Sequence, residues 1–284
     1  MQNPVSHYYD RNTSRFLRFA AAGAGATIHR AVWSEGVTSR TQAVHSVHDL
    51  LLRHAPATIA GGAPVAWDLG CGVGASIEYL AARRPGRYRG LTISNLQQRL
   101  ASERLGKAGG DAAVLKGDFC DRVAIAQLQT DGAPDLVYLI EAFVHATKPT
   151  ELLAAVAGAL KPGGRLCICD DMSVRPEFRE HPLLRRFMRG WQLATLWSSG
   201  EIRACAGDHG LSCVLDLDLT QWTETGRLRD RFIRVVVALA DWSRFSRSRI
   251  AQRPFWGNML GGDALQRATR RGMIEYRFLV LEKR

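Results

Sequence analysis

The sequence predicts an α/β fold: a doubly wound, mostly parallel seven-stranded sheet, with a helical lid before it and helical cap insertions within it. Three observations predict this. The run Val65–Ile77, VAWDLGCGVGASI, joins an apolar strand-like stretch to an amphipathic helix through three closely spaced glycines. From there to Met172, short apolar runs alternate with helical segments, the pattern of a parallel sheet with crossover helices. The chain has 284 residues, 46% of them hydrophobic, enough for one large α/β domain with insertions.

Each element follows in order. Residues 1–59 read as a helical lid. HYYDRNTSRFLRFAAAG carries Tyr9, Phe16 and Phe19 on a mixed face, and the stretch Thr38 to Ala55 repeats Ala43, Val47, Leu50 and Leu51 at helical spacing. Gly61-Gly62-Ala63-Pro64 breaks the pattern and marks the start of a core over 60–284. The first strand is VAWDLG. The second is Arg87 to Ser94, followed by the helix NLQQRLASERL. The third is Ala112 to Phe119 and the fourth Asp135 to Phe143. A helix from Pro149 to Leu160 leads through Lys161-Pro162-Gly163-Gly164, a structural turn, into the fifth strand, RLCICDDM. Residues 173–200 read as a basic, aromatic helical cap. Glu201 to His209 is a further helix and LSCVLDLDLT a sixth strand. The region 226–271 is mostly helical and MIEYRFLVLEK closes the sheet.

Composition narrows the function. No run reaches about 18 uninterrupted apolar residues, so no membrane-spanning helix is expected. The start lacks an apolar core of the secretory type, and the six cysteines are scattered without metal spacing. Reduced cysteines in the cytoplasm are the simple expectation. The net charge of +11 comes from 38 Lys and Arg against 27 Asp and Glu, with lysine only at 107, 116, 148, 161 and 283. Arginine suits bidentate contacts to phosphate and carboxylate. The bases are spread along the chain without a nucleic-acid motif, so an anionic small substrate fits better than nucleic acid. A plain bias toward arginine and alanine is the alternative.

The chemistry gathers at the glycine run. Gly70, Gly72 and Gly74 suit a sharp turn and a close ligand approach. Asp68 precedes them, where a pyrophosphate would be repelled. An acid there suits a cationic or amino-bearing ligand. This run, D-x-G-C-G-x-G with Cys71 at its centre, resembles the first motif of class I S-adenosylmethionine (SAM) methyltransferases. The resemblance implies their Rossmann-like fold and SAM as cofactor.

That family often ends its second strand in an acid that binds ribose. Here the strand ends GLTISN, so Thr92, Ile93, Ser94 and Gln97 are the ribose candidates. Asp118 and Phe119 end the third strand. Asp118 can accept from an adenine amino group and Phe119 can cover the ring; their alternatives are a helix cap and core packing.

HYYDRN, WDLGCGVG, GLTISNLQ, GDF and IEAFVH together resemble the cyclopropane fatty-acid synthase-like and sterol C-methyltransferases. The nearest subgroup is the geranyl (prenyl) diphosphate C-methyltransferases. The likeness covers roughly residues 7–200 and implies methylation of an isoprenoid alkene, most simply a short prenyl diphosphate. It assigns catalysis to Glu141 and, in the cap, to Trp191. Such an alkene becomes a carbocation, which aromatic faces stabilise and a base deprotonates. Glu141 and His145 are the acid–base candidates, with Tyr9 and Trp191 facing the cation. An ion pair or cap is the alternative for Glu141, and a surface role for His145.

Trp33 is placed with the cofactor. Tyr8, Phe143 and Trp197 line the acceptor; any one of these aromatics has core packing as its alternative. A diphosphate would need donors, and Arg11, Asn12, Arg40, Arg185, Arg186 and Arg189 are the candidates, with Arg185 and Arg189 four apart on one helix face; the resemblance pairs such a substrate with Mg²⁺. For the arginines a solvated basic face is the alternative. No metal ligands of the protein's own are expected. Other readings are methylation of a terpenoid natural product or other small metabolite, a lipid cyclopropane synthase, and SAM binding without catalysis. The expected partner is the isoprenoid substrate, with no membrane; a homo-oligomer is left open.

Overall fold

The computed structural model describes residues 29–56, 63–224, 226, 228–242 and 254–284. Helix α1 (Arg40–His54) begins at a reciprocal cap. The Ser39 hydroxyl accepts from the Gln42 backbone N–H at 3.2 Å, and the Gln42 side chain accepts from the Ser39 N–H at 3.0 Å. Its buried face is Ala43, Val47, Leu50 and Leu51, the residues whose spacing predicts it. Residues 29–39 before it are not helical, and the helix expected over HYYDRNTSRFLRFAAAG lies outside the described residues. Val32 forms an antiparallel bridge with Thr223 instead, so only part of the described lid segment has the expected form.

The strands are β1 (Val65–Leu69), β2 (Arg87–Thr92), β3 (Asp111–Lys116), β4 (Leu136–Ile140), β5 (Arg165–Ser173), β6 (Leu211–Asp218) and β7 (Ile274–Lys283). They form one sheet in the order β3-β2-β1-β4-β5-β7-β6. All pairs from β3 to β5 are parallel; β7 runs antiparallel to both β5 and β6. The order reverses between β1 and β4. A doubly wound sheet opens a crevice there, beyond the C-terminal strand ends.

Alternation along β1 separates two cores. Val65, Trp67 and Leu69 face one layer, with Ile125 and Leu128 of α4 (Arg122–Leu128), Leu152 and Val156 of α5 (Pro149–Ala159) and Ile202 of α7 (Ser199–Asp208). Ala66 faces the other, with α1, Ile77 of α2 (Ala75–Arg83) and Ala101 of α3 (Asn95–Ala108). The Lys161 turn lies at the opposite edge from the crevice. The Lys161 ammonium bonds both Asp135 oxygens at 2.9 Å, and Asp135 also accepts from the Val65 N–H at 2.9 Å, joining the starts of β1, β4 and β5.

The cap is shorter than expected. β5 runs on to Ser173, a 3₁₀ turn follows at Pro176–Glu180, and only α6 (Pro182–Trp191) is α-helical. Gln192, at φ +53°, ends it, and residues 192–198 cross back to the strand ends: Ala194 and Thr195 both donate to the Val144 carbonyl, and the Ser173 N–H of β5 donates to the Trp197 carbonyl at 3.2 Å. Two prolines and this left-handed stop outweigh the helical spacing read across 173–200. Strands three and four also stop short, at Lys116 and Ile140, and Phe143–His145 is a 3₁₀ turn. The described residues of the region 226–271 contain two helices, α8 (Leu228–Trp242) and α9 (Pro254–Arg270). α9 packs on α6 through glycines: a Cβ on Gly190 would lie 2.5 Å from the Gly257 carbonyl.

Candidate active site

A cavity of about 340 Å³ opens beyond the C-terminal ends of β1, β2, β4 and β5. The glycine loop forms one wall. Gly70 and Cys71 donate to the Leu91 carbonyl at 3.0 and 2.9 Å, turning the loop over the end of β2. Two glycines there have different reasons. At Gly70, φ +97°, a Cβ would lie 2.6 Å from the Ala142 Cβ. At Gly72, φ +53°, a Cβ would meet nothing within 4 Å, and Gly72 lines the cavity. Both line the cavity, but the first glycine is required by packing and the second keeps cavity space clear. Gly74, at φ +76°, caps α2 and does not line the cavity.

Asp68 is buried on the cavity floor. Desolvation pushes its carboxyl up to about 8, the Tyr138 hydroxyl offsetting only part of this. Its Oδ2 has no hydrogen-bond partner among the described residues. An orphaned buried acceptor beside a cleared glycine loop fits a ligand with an ammonium group. At the end of β2, Thr92 donates to the Gln97 side-chain oxygen at 2.8 Å, and Thr92, Ile93 and Gln97 line the cavity. Ser94 does not line it: its hydroxyl caps α3 by accepting from the Gln97 N–H at 3.1 Å. Asp118 and Phe119 line it too. One Asp118 oxygen accepts from the Cys120 N–H at 2.9 Å, while the N-cap of α4 is Asp121.

Glu141 follows β4 at φ +49°, a left-handed conformation rare for a side chain of its size. The twist is held by its N–H donating to the Cys169 carbonyl at 2.8 Å. Its Oε1 accepts from the Arg30 N–H at 2.8 Å and from the Tyr276 hydroxyl at 3.0 Å. The Arg30 guanidinium lies over the Tyr276 ring, is ion-paired to Asp171, and stays charged between the two acids. His145 lines the cavity, and burial lowers it to about 4, so it is neutral near pH 7.

β5 brings two further acids to the cavity, Asp170 and Asp171. Burial raises both, Asp170 most strongly because Asp171 and Glu141 are its neighbours. The Asp170 oxygens accept from the Val144 and Asp171 N–H groups at 3.1 and 2.8 Å. The cap closes the far side with Phe187 and Trp191, edge-to-face at 5.2 Å. The Trp191 indole N–H donates to the Asn258 carbonyl of α9 at 3.2 Å, which fixes its ring in the wall.

Several expected site residues lie elsewhere. Phe143 is core, edge-to-face with Trp197 at 6.2 Å, and neither lines the cavity. Trp33 packs beside Ala43 and Val44. Arg40 is exposed and paired with Glu224 at 3.4 Å. Arg185 and Arg189 are exposed, Arg185 pairing with Glu180, because the apolar face of α6 turns Leu184 and Phe187 inward. Tyr8, Tyr9, Arg11 and Asn12 lie outside the described residues. No described Lys or Arg lines the cavity, and no described group of three or more His, Cys, Asp or Glu could hold a metal ion. Sequence reading missed His29, Ser76, Asp170, Asp171 and Phe187 in the lining, and Arg30 and Tyr276 behind it.

Residues 67–168 match the methyltransferase domain family. The chain is 29% identical over 199 residues to 24-methylenesterol C-methyltransferase 2 of Oryza sativa subsp. japonica, covering 68% of this chain and 49% of that protein. It is 31% identical over 165 residues to the O-methyltransferase cnsE of Penicillium expansum, covering 57% of each. It thus spans about half the length of these relatives. Its fold matches geranyl diphosphate C-methyltransferase from Streptomyces coelicolor A3(2), solved with Mg²⁺, geranyl diphosphate and S-adenosyl-L-homocysteine. The TM-score is 0.69 over 99% of this chain and 98% of that one, at 16% identity, a likeness of fold.

Proposed function

We propose, from the premise that residues 67–168 form a methyltransferase domain of the class I fold, that this protein is a SAM-dependent C-methyltransferase acting on an isoprenoid alkene. The observation that carries the reading is Glu141. It is held in a strained backbone conformation, with its carboxylate fixed by Arg30 and Tyr276, in a cavity shared with Phe187, Trp191 and the glycine loop.

SAM, when bound, supplies an electrophilic methyl group. Asp68 suits its ammonium, Gly72 leaves room beside the loop, and Asp118 with Phe119 suits the adenine. On the acceptor side, Phe187 and Trp191 offer negative ring faces to a developing cation. Glu141 adds a negative charge already oriented by the Arg30 N–H and the Tyr276 hydroxyl, so no reorganisation is needed as the cation develops. Glu141 or the neutral His145 accepts the departing proton.

The likeness to a sterol C-methyltransferase and the HYYDRN and IEAFVH motifs support an isoprenoid acceptor. Its head group divides two readings. A short prenyl diphosphate, with Mg²⁺, is the substrate the sequence motifs suggest. The described lining favours the other, an uncharged terpenoid. It presents Asp68, Asp118, Glu141, Asp170 and Asp171 and no described Lys or Arg, and Arg185 and Arg189 face solvent. The test is incubation with methyl-labelled SAM and matched prenyl diphosphates and alcohols, followed by mass spectrometry. Labelled product from the alcohols alone selects the uncharged acceptor, and from the diphosphates alone the charged one. Transfer to the alcohol oxygen would replace C-methylation by O-methylation.

A further inference from the structure

The glycine loop delivers one more polar group to the cavity. Ser76 stands in the first turn of α2 and lines the cavity beside His29. Behind it, α1 presents His45 and His48, three residues apart on one face. His48 is fully buried. Its Nε2 lies 2.9 Å from the Ser76 hydroxyl and 3.1 Å from His29 Nε2, and its Nδ1 lies 3.1 Å from His45 Nδ1. Burial lowers all three imidazoles, His48 to about 2, so each is neutral near pH 7.

The protons of this chain can be assigned. A neutral imidazole has one donor and one acceptor nitrogen. His29 Nδ1 lies 3.1 Å from the Arg30 carbonyl oxygen, which only accepts, so the His29 proton is on Nδ1 and its Nε2 is an acceptor. His48 must then carry its proton on Nε2, and its Nδ1 accepts from His45. The same His48 N–H is shared between His29 Nε2 and the Ser76 oxygen in a three-centre bond, so the hydroxyl receives there and does not donate. Its own proton is left over, and no described residue accepts it. The first-turn N–H groups of α2 have no intrahelical partners, and they add the positive end of the helix dipole at this wall. An anion is favoured at Ser76, while Asp68, at the other end of the glycine loop, suits a cation.

We infer that Ser76 is a cofactor-binding residue that donates to the carboxylate of the amino-acid end of SAM, and that His48, with His29 and His45, is the positioning group that turns its hydroxyl proton into the cavity. The inference rests on the SAM reading above.

The experiment is calorimetric binding of SAM and of decarboxylated SAM, which keeps the ammonium and lacks the carboxylate. Ser76→Ala should weaken SAM by about tenfold, equivalent to ~1.4 kcal/mol, and leave the decarboxylated ligand unchanged. His48→Phe should erode the same preference, and His48→Gln, whose amide can still donate to Ser76, should restore much of it. A structural defect would move both ligands together. Equal weakening of the two by Ser76→Ala, or no weakening of either, overturns the inference and leaves the SAM reading standing. If the wild-type protein binds neither ligand, the SAM reading falls and this assignment with it.

Discussion

Gly72→Ala separates cofactor binding from protein stability. A Cβ at Gly72 meets no protein atom within 4 Å, so the variant creates no clash within the chain. It still places a side chain at φ +53°, where an L-residue costs about 1–2 kcal/mol. Gly36 is the matched control: its φ is +79°, it too has nothing within 4 Å, and it lies outside the cavity. Gly36→Ala and Gly72→Ala should therefore lose similar stability, roughly 2–8 °C in melting temperature for a domain of this size class. Their binding should differ. Gly72→Ala fills space reserved for the cofactor and should weaken S-adenosylhomocysteine by at least about tenfold, ~1.4 kcal/mol, whereas Gly36→Ala should bind as the wild type does. Differential scanning fluorimetry reads the first quantity and isothermal calorimetry the second. A folded Gly72→Ala protein with wild-type affinity would refute the placement of the cofactor at this loop.

Glu141→Gln keeps shape and removes charge; kcat should fall by about 10²-fold or more with S-adenosylhomocysteine binding intact, and a wild-type rate would make Glu141 structural. Tyr276→Phe removes one of the two donors that fix Glu141, so kcat should fall by a smaller factor in the same assay. Asp68 gives a pH signature. Held up to about 8 in the ligand-free cavity, it is protonated at pH 7 and must ionise to pair with an ammonium. Binding therefore releases a proton at pH 7, and affinity should rise from pH 6 toward about 8, above which the ligand's own ammonium loses its proton. Calorimetry in buffers of different ionisation enthalpy measures the release, and Asp68→Asn should abolish it. The Arg185→Ala, Arg189→Ala double variant should leave the acceptor KM within about twofold, since both side chains lie on the exposed face of α6, where single surface charges contribute little. A large rise in KM would return the diphosphate reading to first place.

Much of this architecture was legible. Apolar strands with short helical links gave the sheet from Val65 onward, because period and length separate buried strands from helices. The glycine run placed the loop, and the C-terminal strand ends placed Thr92, Asp118 and Glu141 on its side. What stayed hidden came from tertiary contact. Arg30 reaches Glu141 and Asp171 across more than a hundred residues of chain, and Tyr276 lies on the last strand, where its alternation reads as core. Two sequence signals do point to the missed lining. Asp170 and Asp171 are adjacent acids at the end of an otherwise apolar strand, and Phe187 is one helical turn before Trp191 on the same face. The arginines of α6 misled because spacing groups them on one face without saying which way that face turns. Leu184 and Phe187, buried against α9, decide it.

The central claim is that methyl transfer to carbon takes place in the cavity of Glu141, Phe187 and Trp191. The most direct measurement is the NMR spectrum of the product formed from SAM carrying an isotopically labelled methyl group, with an isoprenoid alkene as acceptor and Glu141→Gln run in parallel. The account predicts the label on carbon at a former alkene position, with product formation largely lost in the variant. A label on oxygen, or a carbon-bound label formed equally fast by Glu141→Gln, would contradict it.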